Sequence, residues 1–160
     1  MAFEFLGNSL PNLMPSAAQA GPTPTLDQNA PVPLKVRVRA ESGLEMQVVG
    51  LERPLRVEGL ANMPVNQQFI LVSITARNTK TSGEPISLNP ADFKVKGDGG
   101  LTYDANPPTV TIDTLLTPKD AVAPGKSLNR DLIFQIAQDD SGLMLYWKTG
   151  SSTRAFILEP

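Results

Sequence analysis

From Leu34 to Leu158 the large apolar residues recur at every second position, in short runs separated by Pro, Gly and Asn, and no segment carries a sustained helical period. Leu34, Val36 and Val38 alternate with Lys35, Arg37 and Arg39; Leu44, Met46 and Val48 alternate with Glu45, Gln47 and Val49. Successive side chains of a strand point to opposite faces, so each run has one face fit for a core and one fit for water. Ser42-Gly43 between them predicts a hairpin turn. Residues 69–76 are apolar on both faces at their start, which predicts a central strand. Residues 92–96 and 101–103 flank Gly97-Asp98-Gly99-Gly100 and read as a second hairpin. Leu128, Leu132, Phe134 and Ile136 mark the inward face of a further strand, with Arg130 as the exception. Residues 143–147 and 155–158 read as a terminal hairpin.

Two longer connections break this pattern. Residues 52–67 contain Pro54, Gly59 and Pro64 and read as a loop with one short strand near 55–58. Residues 104–124 are broken by Pro107, Pro108 and Pro118; Val110-Thr111-Ile112 is expected to add an edge strand, and 113–116 a helical turn. Seven to nine short strands joined by turns predict an all-β chain, an immunoglobulin-like antiparallel β-sandwich, with a closed barrel as the alternative.

The 33 residues before this pattern have a different composition. Six prolines, Pro11, Pro15, Pro22, Pro24, Pro31 and Pro33, stand among Ala, Thr, Gln and Gly, a mixture that cannot bury enough surface to offset its ordering entropy. Residues 1–33 are therefore expected to be an extended Pro-rich tail and 34–160 the sandwich domain. At the far end of the tail Phe3, Phe5, Leu6 and Leu10 form an apolar group. Two readings fit it: a remnant secretion signal, since Ala18-Gln19-Ala20 has the small-x-small spacing of a cleavage site, or an arm that docks on a partner. No Lys or Arg precedes the apolar group, and Asn8, Pro11 and Asn12 interrupt it, which a signal would not need.

The inventory of reactive groups is thin. The chain of 160 residues has no Cys and no His, so disulfides, thiolate metal sites, a cysteine nucleophile and the usual near-neutral general base are all excluded. No Gly-x-Ser-x-Gly, Ser-x-x-Lys or phosphate-cradling loop is present. No catalytic residues, no metal ligands and no cofactor are expected. Asp98 in its glycine turn and Asp139-Asp140-Ser141-Gly142 are the places where a calcium ion would be sought, but both lack the alternating carboxylates of a calcium loop and read as turns. The net charge of −2 comes from Glu4 and Asp27, leaving the rest balanced, so no nucleic-acid field is expected. Lys35, Arg37 and Arg39 are a candidate anionic contact, but on a neutral domain with no aromatic residue among them they read first as the solvent face of an edge or near-edge strand. No apolar run approaches the roughly 18 residues of a membrane span. Of the adjacent Tyr146 and Trp147, one must face the core and the other solvent; the Trp is expected inside.

Three segments together resemble a known family. Gln68 to Asn78 is an apolar strand ending in Arg-Asn; Asn89-Pro90-Ala91-Asp92-Phe93 runs on through Gly100 to Tyr103; Pro124-Gly125 precedes Asp131-Leu132-Ile133-Phe134-Gln135-Ile136. This order resembles the telokin-like, immunoglobulin-like domain of unknown function found on many bacterial extracellular proteins and lipoproteins. The resemblance covers roughly 34–158 and implies a sandwich fold, a secreted or cell-surface (extracytoplasmic) location and a binding or structural role without catalysis. The sequence departs from the family in having no Cys near its start to carry a lipid.

The functional expectation is a non-catalytic structural or adhesive module that engages a protein partner or a second copy through Phe3, Phe5, Leu6 and Leu10, at the cell surface or outside the cell. The alternative is an accessory domain that binds a glycan, peptide or small ligand through loops 52–67 and 104–124.

Overall fold

The computed structural model describes residues 30–56 and 63–159. Ten strands follow in chain order: β1 (Arg37–Arg39), β2 (Leu44–Glu52), β3 (Gln67–Asn78), β4 (Ile86–Ser87), β5 (Phe93–Lys96), β6 (Thr102–Asp104), β7 (Ala121–Val122), β8 (Ser127–Ala137), β9 (Met144–Thr149) and β10 (Ser152–Ile157). Eight of them build two four-stranded antiparallel sheets, ordered β1-β2-β3-β8 and β10-β9-β5-β6, and the two-residue β4 and β7 pair separately. The sheets pack face to face as a sandwich. Ile70, Val72, Ile74, Leu132, Phe134 and Ile136 of the first sheet meet Phe93, Val95, Leu145, Trp147 and Phe156 of the second in one core. Each such side chain withdrawn from water contributes about 1.5–3 kcal/mol. Trp147 faces inward, stacked on Phe93 with ring centroids 6.4 Å apart.

The hairpins read from the sequence are present: β1–β2, β5–β6 and β9–β10 all pair antiparallel. β3 lies between β2 and β8, as its two apolar faces require. A bulge between Val48 and Gly50 leaves Val49 exposed and returns Leu51 to the inner face.

Local expectations are corrected in three places. The first strand begins at Arg37, not at Leu34: Pro33 and Lys35 (φ 69) turn the chain, Lys35 N–H reaches across to Val48 O at 2.8 Å, and Val36 is left 39% exposed. Val110-Thr111-Ile112 forms no strand, because the N–H of Val110 closes a turn onto Pro107 O, and 113–116 is a turn plus a bridge, not helix. Leu55 and Arg56 carry no strand, and the rest of the short strand expected there lies outside the described residues. At the other boundary, Val32 already adds to the edge of β10, its N–H donating to Ala155 O and its carbonyl accepting from Ile157 N–H.

Two of the motif residues close one end of the core. Asn78 is fully buried at the end of β3. Its side-chain amide donates to Val122 O (2.9 Å), its Oδ1 accepts from Lys80 N–H (3.0 Å), and its carbonyl accepts from the N–H of Gly125, which adopts φ 74. The strand-end Asn and the Pro-Gly turn are thus one clasp. Asn78→Ala would strand Val122 O and Lys80 N–H without partners, and the expected loss is about 1–3 kcal/mol. Urea denaturation should show a lower midpoint at unchanged slope; a loss below about 0.5 kcal/mol would show that the clasp carries no weight.

Candidate functional site

The carboxylates singled out as calcium candidates lie on two different loops, and the fold brings those loops together. The turn after β5 and the turn after β8 interlock: Asp98 N–H donates to Ser141 O (2.8 Å), while the Asp140 carboxylate, 6% exposed, enters the β5–β6 turn. There it accepts from Gly99 N–H (3.0 Å), the Tyr103 hydroxyl (2.8 Å) and Ser141 N–H (3.0 Å). A Cβ on Gly97 would sit 2.2 Å from Oδ1 of the buried Asp140, so a side chain there would have to displace that carboxylate from its donors, and Gly142 at φ 60 adopts a conformation that side chains disfavour. Burial pushes the Asp140 carboxyl up, but the Gly99 and Ser141 amides, the Tyr103 hydroxyl and the Arg53 charge outweigh it and hold it below the usual Asp value. The Asp140 oxygens are thus already taken by protein donors. Among the described residues no three His, Cys, Asp or Glu side chains come together as metal ligands.

The three cations named as a candidate anionic contact do not all lie on one strand. Lys35 lies in the turn ahead of β1, whereas Arg37 and Arg39 are on the outer face of that edge strand, and Arg39 pairs with Glu45 across the hairpin at 3.0 Å. Arg130, the polar exception on β8, is held by Asp120, whose two carboxylate oxygens accept from its Nε and Nη2. Burial raises the Asp120 pKa, and Thr117 N–H together with Arg130 more than reverses this. Phe3, Phe5, Leu6 and Leu10 lie outside the described residues.

What the sequence reading missed is how loop 104–124 is attached. After β6 the chain crosses to the first sheet, and Ala105 bridges Phe134 on the free edge of β8. Asn106, at φ 55, then clamps the loop: its N–H donates to Ile133 O, its side-chain amide to Leu116 O, and its Oδ1 accepts from Ile133 N–H. Asp131 on β8 completes the attachment. Its carboxylate accepts from Ser73 Oγ (2.6 Å) and Thr114 Oγ1 (2.5 Å), and its backbone pairs with Thr114 and Leu116. The only hint in the sequence is Asn106-Pro107, an Asn where a turn must begin. Held this way, Val110, Ile112 and Leu115 join Leu55 and Met63 over Phe69 and Ile133, on the outer face of the first sheet.

Between this loop and residues 89–94 a cleft of about 680 Å³ remains open. Pro90, Phe93, Pro107, Val110, Ile112 and Leu115 supply its apolar walls, and Lys94, Asp104 and Asp113 stand among its polar lining. Lys94 and Asp104 form an ion pair. The volume lies in the range of about 300–1,000 Å³ typical of pockets that bury a ligand of drug size.

The family described as a domain of unknown function, DUF4352, matches residues 40–155. The chain belongs to the DUF4352 family. The resemblance read from Asn78, Asp92-Phe93, Tyr103 and Pro124-Gly125 is confirmed by this match and by solved structures of similar fold. The yjhA protein of Bacillus subtilis is 15% identical with a TM-score of 0.59, over 80% of this chain and 99% of its own. A candidate lipoprotein of Bacillus subtilis, ycdA, is 14% identical with a TM-score of 0.54, over 73% of this chain and 37% of its own. MPT63, a secreted protein of Mycobacterium tuberculosis, is 15% identical with a TM-score of 0.52, over 82% of this chain and 98% of its own. At such identities the likeness is one of fold. No curated protein sequence matches the chain.

In this DUF4352 domain the interlock makes stability fall in acid. Asp140 is depressed in the folded state, so its contribution is present above the unfolded carboxyl value near pH 4 and lost as pH falls through the lower folded value. Asp140→Asn should cost about 1–3 kcal/mol at pH 7. The difference from wild type should shrink when both are denatured at pH 3; an equal difference at both pH values would refute the assignment.

Proposed function

We propose that this DUF4352 domain is a non-catalytic extracytoplasmic structural or adhesive module that engages a neighbouring subunit through its N-terminal arm, with Phe3, Phe5, Leu6 and Leu10 as the contact residues. The observation that carries this reading is the open, apolar-walled cleft on a domain whose buried and paired polar groups are spent on holding loops together. Asp140, Asp131, Asp120 and Asn78 each serve a clasp, which leaves shape and apolar surface as what the domain offers a partner. Phe3, Phe5, Leu6 and Leu10 give the arm the apolar chemistry such a contact needs.

An extracytoplasmic location is supported by the secreted MPT63 and the candidate lipoprotein ycdA, which share the fold. Absence of Cys suits a chain that relies on its core and not on disulfides. A second reading, an accessory domain that takes a glycan, peptide or small ligand through its loops, is supported by the same cleft, since loop 104–124 forms one wall of it.

The full chain should assemble with increasing concentration in sedimentation experiments. Replacing Phe3, Phe5, Leu6 and Leu10 together by Ser should return it to monomer with an unchanged melting temperature; assembly as strong as wild type would remove the arm from this role. Mass measurement of the native protein should find Phe3 retained, since cleavage after Ala20 would leave no arm tip to dock.

A further inference from the structure

We infer that the polar half of the outer face of the first sheet is a binding surface for an acidic glycan, a polysaccharide bearing carboxylate groups. The inference stands apart from the arm reading and uses neither the cleft nor the loops. On this face the strands β1, β2, β3 and β8 set two rows of polar side chains next to each other. Arg37, Gln47, Thr75 and Asn129 are successive partners in one row, and Arg39, Glu45, Arg77 and Ser127 in the next. These positions alternate with the buried Met46, Val48, Ile74 and Ala76, so all of them point away from the core. Arg37, Arg39, Arg77, Ser127 and Asn129 are exposed: loop 104–124, which covers Phe69 and Ile133 on the same sheet, leaves these rows open.

Two guanidinium groups here escape the clasps that use most other polar groups of the domain. Arg39 is paired with Glu45, but neither Arg37 nor Arg77 is in an ion pair among the described residues. Both line a shallow hollow of about 40 Å³, with Gln47, Thr75 and Ser127 beside them. That exceeds the about 10–15 Å³ a single water needs, so the hollow can seat the head of one carboxylate. Glu45 also lines it, with its charge held by Arg39. Lys126 precedes Ser127 and is exposed, so Arg37, Arg39, Arg77 and Lys126 face the single carboxylate of these rows, in a domain whose charges otherwise balance; Glu41 lies in the hairpin turn beyond Arg39. Guanidinium forks bind carboxylates through two parallel hydrogen bonds. Arg37 and Arg77 are two strands and two residues apart, about 12 Å at the backbone, so both can reach acidic groups of one extended chain. Between them Thr75 donates to Asn129 Oδ1 (2.8 Å), which leaves the Asn129 amide and the Gln47 carbonyl oxygen to meet sugar hydroxyls. Other polyanions fit less well: no aromatic ring stands on either row to stack a base, and no apolar side chain stands there to enter a bilayer.

The test is a binding titration of the full chain with alginate, a glycan bearing a carboxylate on each sugar, beside polyphosphate, single-stranded DNA, anionic phospholipid vesicles and neutral dextran. Wild type should bind alginate most tightly, leave dextran unbound and lose affinity as salt is raised. Arg37→Ser combined with Arg77→Ser should weaken alginate binding at least about tenfold at an unchanged melting temperature. Lys96→Ser combined with Lys148→Ser removes the same charge from exposed positions on the second sheet and should change binding by less than about twofold. An equal loss in the two double variants would reduce the effect to net charge and overturn the site. Tighter binding of polyphosphate, DNA or vesicles than of alginate would overturn the glycan as the occupant. Alginate binding no stronger than that of dextran would overturn the inference altogether.

Discussion

The free edge of β8 is the constraint around which the rest of the molecule is arranged. β3 occupies one side of that strand, and on the other side a row of unpaired N–H and C=O groups would be open to water or to another chain. Loop 104–124 seals it with few backbone pairs: Ala105 against Phe134, Asn106 against Ile133, and Leu115 and Leu116 against Asp131. Because the loop must run along this edge, it also lays Val110, Ile112 and Leu115 over Phe69 and Ile133, which would otherwise expose apolar surface on the outer face. Edge protection and coverage of the outer face are therefore one event. The cleft is its by-product, since the loop reaches across from the second sheet and does not lie flat against residues 89–94.

The same economy explains where the charged groups went. Asp131 receives two hydroxyls and anchors the loop; Asp120 holds Arg130 and the turn before β7; Asp140 joins the turns after β5 and β8. Asp131 and Asp140 are placed where segments distant in sequence meet, Asp120 ties its own turn to the nearby β8, and each finds donors enough to offset its partial burial. A carboxylate so saturated is a poor proton carrier and a poor metal ligand.

Most of the sandwich was legible because its signal is local. Alternation in β2, β3, β5, β8 and β9 specifies which face turns inward, and Gly97 to Gly100 specifies the turn between β5 and β6. The two apolar faces of β3 pointed to a central strand, and the segment that covers its outer side was not read from the sequence. What was not legible depends on contacts made far along the chain. Val36 has the period of a strand and lies in a turn, because Lys35 reaches across to Val48. Val110-Thr111-Ile112 has β-branched residues and forms no strand, because its side chains are needed over Phe69 more than its backbone is needed in a ladder. The meeting of Asp98 with Gly142, and of Asp140 with Gly97 and Tyr103, joins residues about 40 positions apart and has no periodic trace.

Two of the pairs among the residues that carried the family resemblance are clasps: Asn78 meets Gly125, and Tyr103 meets Asp140. Substitution at such positions acts on stability, because a buried partner is left without its hydrogen bond. The rim of the cleft obeys a different rule. Ala91, Pro108, Thr111 and Asp113 are exposed and lie outside the strands, so their side chains can change at small energetic cost to the sandwich. A fold built this way keeps the machinery that positions the loop apart from the surface the loop presents. Asn106 and Asp131 hold the wall in place whichever side chains the rim carries.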